Sequence, residues 1–266
     1  MDKSRKIELM GIINLTPDSF YGGSRVLGLD GIPDTAALLS RIETMAAEGA
    51  GIIDIGACSS RPGSVPVGEE VEWERLEPAL EVIRGRFPNL RISIDTTFSS
   101  IAQKAFDMIG PFTVNDISAG EDDPLMLPTV ARLGLGYVAM HHRESADVVS
   151  DVISFFRDFS GMAADAGLED WILDPGFGFG KTLDQNYRLL AALPELLPLG
   201  RPILVGVSRK SMVWKLLGIT PEDALPGTQI LHYKALEGGA SILRVHDVAE
   251  AANTIKIYRT MITEIT

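Results

Sequence analysis

Short apolar runs alternate with amphipathic segments along most of this chain. The apolar runs are bounded by turn residues and have the length of buried strands, whereas the segments between them repeat their apolar positions every three to four residues, as helices do. The predicted strands are residues 7–14, 51–56, 91–95, 112–118, 137–142, 171–174, 202–208 and 241–246. The predicted helices are residues 34–45, 69–86, 99–108, 124–133, 146–166, 184–193, 210–217, 221–237 and 248–261.

Eight strands that alternate with helices predict an α/β chain folded as a (β/α)8 TIM barrel. No low-complexity linker divides the sequence, so we expect one domain over residues 1–266. The alternative is a doubly wound open sheet. That fold is less favoured, because residues 11–18 after the first strand lack the glycine-rich phosphate fingerprint.

Composition narrows the class of protein. The 266 residues are 45% hydrophobic and 23% charged, with a formal net charge of -12 and one cysteine. These values indicate a globular chain without an intrachain disulfide, and we expect a cytoplasmic location. The negative charge disfavours nucleic acid and anionic membrane surfaces as partners. An anionic small-molecule substrate remains compatible with this charge if basic residues cluster locally.

Most of the predicted strands run into a hydrogen-bonding side chain. In a (β/α)8 barrel the carboxyl ends of the strands and the loops after them carry the active site. The sequence therefore predicts a polar mouth on an apolar barrel. The residues at or near these strand ends are Asn14, Asp95, Asn115, Asp116, Met140, His141, Asp174, Ser208, Arg244 and His246.

The run from Asp174 to Lys181 reads Asp-Pro-Gly-Phe-Gly-Phe-Gly-Lys and follows a short apolar strand. Glycines adopt positive φ angles and let the backbone approach a flat ligand closely. Aromatic rings between them can lie against the faces of that ligand. An ionised carboxylate only accepts hydrogen bonds, so Asp174 is predicted to bind the donor-rich edge of a ligand.

Basic residues point to an anion pocket after the seventh and eighth strands, the usual phosphate site of this fold. Arg244 and His246 are two positions apart on one strand and so share a face. The segment 208–211, Ser-Arg-Lys-Ser, opens a predicted helix. The alternative interpretation is that Arg244 forms a surface ion pair with Asp247 and does not line an anion pocket. Arg61, before Pro62, places a further cation on a loop, and residues 16–30 form a candidate lid.

Seven of these segments together resemble the dihydropteroate synthases, the folate-pathway enzymes that sulfonamides inhibit. The resemblance covers essentially the whole chain and keeps the family's motif order. The matching segments are residues 14–20, 60–63, 93–96, 114–117, 174–181, 206–211 and 244–247.

The resemblance implies a reaction and a set of site residues. 6-Hydroxymethyl-7,8-dihydropterin pyrophosphate and p-aminobenzoate would give 7,8-dihydropteroate and pyrophosphate, by a substitution in which the leaving group departs largely before the amine attacks. The pterin site would comprise Asp95, Asn115, Ile117, Met140, Asp174, Phe179 and Lys210. The pyrophosphate site would comprise Asn14, Ser60, Arg61, Arg244 and His246. The p-aminobenzoate site would comprise Phe20, Pro62, Phe179 and Ser211.

The resemblance also implies a cofactor and a partner. Asn14 would hold Mg2+ against the pyrophosphate, since Mg2+ takes few protein ligands and keeps several waters. The residues with a direct catalytic role would be Asn14, Arg61, Lys210, Arg244 and His246. A homodimer is expected, with an interface formed by late helices away from the barrel mouth.

Four places depart from the family pattern. Ser60 replaces a usual Thr, Cys58 replaces a usual Glu, and the first loop reads Tyr21-Gly22-Gly23, without the usual Asp. The segment 141–144, His-His-Arg-Glu, is also unlike the usual one. Two alternatives therefore stay open. One is a pterin-binding homologue without synthase activity, and the other is a methyltransferase that moves a methyl group from methyltetrahydrofolate to a corrinoid.

Overall fold

The computed structural model describes residues 5–16, 34–58 and 67–264, and these residues form alternating strands and helices. The described strands are β1 Glu8–Asn14, β2 Ile52–Gly56, β3 Arg91–Asp95, β4 Thr113–Asp116, β5 Gly136–Met140, β6 Trp171–Asp174, β7 Leu204–Val205 and β8 Ile242–Val245. The described α-helices are α1 Thr35–Glu48, α2 Glu69–Arg86, α3 Ser99–Ile109, α4 Met126–Leu133, α5 Val148–Ala166, α6 Leu183–Ala191, α7 Ser211–Leu217, α8 Leu225–Glu237 and α9 Val248–Glu264.

All paired strands are parallel, and their order is β6-β5-β4-β3-β2-β1-β8-β7. A bridge between Leu173 and Ile203 links β6 to the start of β7, and Leu173 N–H donates to Pro202 O at 3.0 Å. The sheet is thus a nearly closed barrel with helices between successive strands. The predicted (β/α)8 barrel is confirmed, and the doubly wound alternative is wrong, because its strand order reverses in the middle of the sheet.

Strand alternation divides the core into an inner and an outer part. Inward positions form a small apolar cluster of Met10, Ile52, Val138, Leu204 and Ile242. Outward positions join a much larger cluster between the barrel and the helices. Because side chains two apart share a face, the inward positions of β2 and β8 next toward the mouth are Asp54 and Arg244. The interior therefore changes from apolar to charged toward the carboxyl ends of the strands.

Local signals explain several helix ends. The Asp34 carboxylate accepts hydrogen bonds from Ala36 N and Ala37 N, at 2.9 and 3.0 Å, and so caps α1 as predicted. Thr182 and Gln185 form a reciprocal capping box at the start of α6.

No helix in the described part of the chain is both long and apolar enough to cross a bilayer.

Several predicted elements are shorter in the structure, and local signals explain two of these cases. The predicted strand 202–208 reduces to Leu204–Val205. Pro202 has no N–H for a ladder, and beyond the strand Arg209 adopts a φ of 50°, which ends extended structure. The predicted helix 221–237 begins as a 3-10 turn, Glu222–Ala224, and becomes α-helical at Leu225. Pro226 in the first turn of α8 fits this late start, because the first turn needs no N–H donor there.

Candidate active site

Asn14, Gly56, Asp95 and Asn115 lie in one row across the carboxyl ends of β1 to β4. The sheet register pairs Asn14 with Gly56, Gly56 with Asp95, and Asp95 with Asn115. A Cβ atom on Gly56 would lie 3.6 Å from Asp95 Oδ2 and 3.7 Å from Asn14 Oδ1. The predicted polar residues of the first, third and fourth strands therefore meet above a glycine that leaves space between them.

Arg244 reaches into this row and binds two carboxylates. Its Nε and Nη2 atoms lie 2.7 and 2.6 Å from Asp54 Oδ2, and Nη2 donates to Asp95 Oδ2 at 3.2 Å. Asn115 Nδ2 donates to the same Asp54 oxygen at 3.2 Å. Asp54 is fully buried, and its Oδ1 atom accepts no hydrogen bond from any described residue. This cluster thus joins one guanidinium to two carboxylates, and one of them, Asp54, keeps an acceptor oxygen with spare capacity.

Burial controls the charge of this cluster. It raises the pKa of Asp95 to about 7, although Arg244 acts in the opposite direction, and Asp54 raises the pKa further. Burial also lowers the pKa of Arg244, but Asp54 and Asp95 more than compensate, so this pKa ends above its ordinary value. Arg244 stays positive, while Asp95 is poised to exchange a proton near neutral pH.

Asp174 ends β6 and is held by the loop that follows it. Its Oδ1 atom accepts a hydrogen bond from Gly176 N–H at 2.8 Å, and the residue is only 7% exposed. Burial raises the pKa of Asp174, and the nearby Lys210 ammonium limits the increase. Conversely, burial lowers the pKa of Lys210 to about 8, while Asp174 raises it. This carboxylate–ammonium pair gives the mouth both an acceptor and a donor.

The loop after β6 has the conformation that its glycines predict. Gly176, Gly178 and Gly180 have φ angles of 70°, 84° and 58°. A Cβ on Gly176 would lie 1.8 Å from the His141 carbonyl oxygen, so no other residue fits there without moving the backbone. Gly176 therefore allows the loop after β6 to pack closely against the segment that follows β5.

The two phenylalanines of this loop have different surroundings. Phe177 is fully buried in the outer core, so the interpretation that both rings face a ligand is wrong for this one. Phe179 is half-buried, and the Lys210 ammonium lies 4.8 Å from the centre of its ring. Lys210 Nζ also donates to the Phe177 carbonyl. Phe179 and Lys210 together form one aromatic and cationic wall beside Asp174.

The basic segment before α7 serves two purposes. Lys210 faces the mouth, whereas Arg209 is buried and binds Asp247 with two hydrogen bonds, Nε to Oδ2 at 2.8 Å and Nη2 to Oδ1 at 2.9 Å. The alternative pairing of Arg244 with Asp247 is therefore wrong. Ser208 Oγ accepts from the His246 N–H at 3.2 Å, which ties β8 to the end of β7.

Other predicted residues are placed as follows. Met140 is buried at the end of β5, and its Cγ atom lies 3.2 Å from the Cβ position of Gly176. Ile117 follows β4 and Ser211 begins α7, both half-buried. His246 follows β8, and burial together with Arg244 lowers its pKa to about 3, so its imidazole is neutral. Phe20, Ser60, Arg61 and Pro62 lie outside the described residues.

Asp54 is the main site residue that the sequence reasoning missed. It lies in the middle of an apolar strand, between Ile53 and Ile55, rather than at a strand end. An isolated carboxylate flanked on both sides by isoleucines would have identified it, because alternation turns it to the face opposite those neighbours. Cys58, at the position where Glu is usual, is half-buried, and burial raises the pKa of its thiol.

Comparison with known proteins assigns this barrel to a class. The chain belongs to the family of pterin binding enzymes, whose match extends over residues 10–246. It is similar to the dihydropteroate synthase of Haemophilus influenzae, with 36% identity over 264 residues that cover 95% of this chain and 93% of that protein.

Solved structures show the same likeness. The Yersinia pestis dihydropteroate synthase, in a sulfonamide drug complex, has a TM-score of 0.89 and 36% identity, and the match covers 99% of this chain and 96% of that one. The Xanthomonas albilineans enzyme with 4-aminobenzoic acid has a TM-score of 0.86 and 35% identity, with coverage of 96% and 93%.

Proposed function

We infer that this chain is a transferase with dihydropteroate synthase activity. It joins the pterinylmethyl group of 6-hydroxymethyl-7,8-dihydropterin pyrophosphate to the amine of p-aminobenzoate and releases pyrophosphate. The observation that carries this conclusion is the pair at the mouth, the Asp174 carboxylate fixed by Gly176 N–H and the Lys210 ammonium beside it. The relatives of this chain, similar over nearly all of its length, have the same activity in their names.

The pterin fits the chemistry of this pair. A pterin carries an amino group and a ring N–H side by side, and two adjacent donors match the two oxygens of Asp174. Lys210 donates to the pterin carbonyl or a ring nitrogen on the neighbouring edge. Asn115 and Asp95 contact other edge atoms, and the spare acceptor of Asp54 gives the deep end of the site a further partner for a ligand N–H. The apolar walls are supplied by Met140, Ile117 and Phe179.

The reaction needs a stabilised methylene cation and a stabilised leaving group. The electron-rich dihydropterin ring supports positive charge on the methylene carbon, and the carboxylate of Asp95 near that ring favours the charge further. Arg244, His246, Ser60 and Arg61 are proposed to hold the pyrophosphate as it departs. Arg244 would do so while bound to Asp54 and Asp95, and His246 would donate a hydrogen bond to the pyrophosphate.

The arylamine is proposed to lie beside Phe179 and Ser211, with Phe20 and Pro62 as further contact residues. The Xanthomonas albilineans relative contains 4-aminobenzoic acid, and the Yersinia pestis relative contains a sulfonamide. A sulfonamide is therefore proposed to compete with p-aminobenzoate here. Pyrophosphate is proposed to bind before the arylamine and to complete the arylamine site.

Product analysis tests the function directly. Pyrophosphate and 7,8-dihydropteroate are expected to appear together, in equal amounts, when both substrates are present. A pterin-binding homologue without synthase activity would form no dihydropteroate. A methyltransferase would instead consume methyltetrahydrofolate in the presence of a corrinoid, and none of the described site residues favours that reaction. Absence of dihydropteroate in this assay would refute the proposal.

The residues at the mouth fit a magnesium ion. Oxygen atoms from Asn14 and Asp95 flank Gly56, and Mg2+ prefers oxygen ligands. No group of three or more His, Cys, Asp or Glu side chains with metal-binding geometry occurs in the described segments. Asn14 is accordingly proposed to hold Mg2+ with help from the pyrophosphate and water. The bound ion would neutralise charge on the leaving group.

Removal of divalent metal is expected to abolish most of the activity. Enzyme treated with EDTA and assayed without added metal should form dihydropteroate at least about tenfold more slowly, which corresponds to a barrier higher by roughly 1.4 kcal/mol. Added Mg2+ should restore the rate. Asn14→Ala should raise the Mg2+ concentration needed for half-maximal rate, whereas the matched control Asn253→Ala, at an exposed position on α9, should not. Full activity after EDTA treatment would contradict the magnesium role.

A homodimer is proposed through the outer surfaces of α7, α8 and α9. These helices expose the apolar side chains of Leu216, Leu217, Ile230, Ile257 and Met261, and Ile230 is 69% exposed. Gly227 lets α7 pack closely on α8, because a Cβ there would lie 2.6 Å from Val213 Cγ1. Exposed apolar residues on adjacent helices are typical of a protein–protein interface.

Light scattering at micromolar concentration is expected to give the mass of two chains. Ile230→Asp should shift the mass toward one chain, because a buried charge at an interface costs several kcal/mol. Leu125→Asp is the matched control, since Leu125 is 65% exposed but lies at the start of α4. A monomer mass for the unmodified protein would exclude this interface.

A further inference from the structure

Lys181 contacts more hydrogen-bond acceptors than it has protons. Its ammonium lies 2.9 Å from both Gly176 O and Phe179 O, 3.1 Å from His141 O and 3.0 Å from His141 Nδ1. An ammonium group has three protons and no acceptor capacity. Lys181 therefore links the loop after β6 to the chain after β5 through a single charged group.

His141 is set up to accept from Lys181. It is fully buried, and its Nε2 atom lies 2.9 Å from Asp151 Oδ2 on α5. Burial, followed by the Lys181 charge, lowers the pKa of His141 to about 4, so the ring is neutral. The Asp151 carboxylate can only accept, which places the single ring proton on Nε2 and leaves Nδ1 as an acceptor facing Lys181.

The two loop carbonyls that Lys181 binds bracket the groups that face the pterin site. The Gly176 N–H fixes Asp174 Oδ1, and the Phe177 carbonyl between them accepts from Lys210. The ring of Phe179 lies 4.8 Å from the same Lys210 ammonium. Any shift of the loop backbone would consequently move the Asp174 partner, the Lys210 partner and the aromatic wall together.

We propose that Lys181 is a positioning residue for the pterin site, oriented from α5 by Asp151 through His141. This inference rests on the proposed function, in that it assumes the Asp174 side of the mouth binds a pterin. Lys181 itself does not touch the substrate. It holds the loop in the one arrangement in which Asp174, Lys210 and Phe179 face the same space. The hydrogen bond from His141 to Asp151, called the Asp151–His141 relay below, keeps His141 Nδ1 as an acceptor for Lys181.

Burial makes this arrangement sensitive to loss of the charge. Lys181 lies among Asp174, Lys210, Asp151 and His141, and burial lowers its pKa to about 7 while Asp174 raises it. Without the ammonium, three carbonyl oxygens in the loop region would each lose a donor, and Gly176 O would keep only the Phe179 N–H at 3.1 Å. Loss of hydrogen bonds to buried acceptors is unfavourable. The loop is then expected to open locally while the barrel stays folded.

The test is Lys181→Met, which keeps the length and apolar character of the stem and removes the charge. Lys256→Met on α9 is the matched control, since Lys256 is exposed and remote from the mouth. Hydrogen exchange of the amides in residues 174–180 should accelerate at least tenfold in Lys181→Met and stay unchanged in the control. Calorimetric titration with 6-hydroxymethylpterin should show at least tenfold weaker binding in Lys181→Met alone.

The Asp151–His141 relay is tested separately, through the tautomer of the His141 ring. In the unmodified protein, 15N NMR of His141 should show a protonated Nε2 and an unprotonated Nδ1. Asp151→Asn keeps the size of the side chain but adds a donor, which permits the other tautomer and sets two donors against each other at Lys181. We expect a mixed tautomer signal and a two- to tenfold acceleration of exchange in residues 174–180. Asp158→Asn, exposed on the same helix, should change neither quantity.

The outcomes separate this proposal from the proposed function. Unchanged exchange at residues 174–180 in Lys181→Met would overturn the positioning role, whatever the activity. A protonated Nδ1 in the unmodified protein would overturn the relay. If Lys181→Met does not fold, Asp151→Asn provides the same exchange and NMR tests with Lys181 retained. If the unmodified protein binds no 6-hydroxymethylpterin but exchange responds as expected, the proposed function fails and the loop-holding role stands.

Discussion

Replacing Asp174 with Asn is expected to weaken pterin binding at least tenfold. The carboxylate presents two acceptors, one of which already receives the Gly176 N–H. An amide of the same size offers one acceptor and one donor group, so one buried donor would face another, either in the loop or on the pterin. An unmet donor in a buried site costs roughly 1–3 kcal/mol, and about 1.4 kcal/mol, in the lower part of this range, already corresponds to tenfold in affinity.

The measurement is calorimetric titration of both proteins with 6-hydroxymethylpterin at pH 7. Asp184→Asn is the matched control, because Asp184 is an exposed carboxylate in the first turn of α6 on the far side of the same loop. It should bind as the unmodified protein does. Equal affinity for Asp174→Asn and the unmodified protein would remove Asp174 from the pterin site.

Much of the barrel is predictable from local patterns. The bounds of α2, β3 and β6 agree with the sequence interpretation residue for residue, because apolar runs and polar flanks coincide there. The strand-end residues also meet as expected, since parallel strands bring their carboxyl ends to one edge. Asn14, Asp95 and Asn115 are neighbours across the sheet for this reason.

Side-chain contacts between different strands and loops are harder to predict from the sequence than the strands themselves. Arg244 was expected at the mouth, but its hydrogen bonds to Asp54 and Asp95 were not. These bonds form because the three inward side chains lie at the same height in the barrel. The spacing of residues in the sequence does not give that height. The Lys181–His141 contact joins residues 40 positions apart through a loop backbone. Such contacts depend on loop conformation, which the glycines permit but do not specify.

Arg244→Met is expected to destabilise the folded protein by about 3–5 kcal/mol at pH 8, the typical cost of removing one partner from a buried ion pair. Arg244 is the common partner of two carboxylates, and Met keeps most of the length of its stem. The mutant would leave Asp54 and Asp95 facing each other without the guanidinium. Urea unfolding measures the change in free energy, and Arg157→Met on the exposed face of α5 is the matched control.

The destabilisation should depend on pH in a defined direction. Burial already raises the pKa of folded Asp95 to about 7, even with Arg244 acting against it, whereas an unfolded aspartate titrates near 4. Loss of Arg244 raises the folded pKa further. A carboxyl whose folded pKa is raised costs nothing below its unfolded pKa, and its cost grows as pH rises toward the folded pKa. The loss of stability in Arg244→Met should therefore be at least about 1 kcal/mol smaller at pH 5 than at pH 8.

A second substitution distinguishes charge repulsion from lost packing. If the unpaired carboxylates cause the destabilisation, Asp54→Asn should recover a large part of it in the Arg244→Met background, because one of the two buried charges is then gone. In the unmodified background Asp54→Asn should destabilise, since Arg244 loses its nearest carboxylate. Opposite signs in the two backgrounds give a coupling energy of about 1–3 kcal/mol, as expected for residues in one buried network. Equal effects of Asp54→Asn in both backgrounds, or a pH-independent loss in Arg244→Met, would show that the side chain contributes through packing and that the charge cluster does not control stability at the mouth.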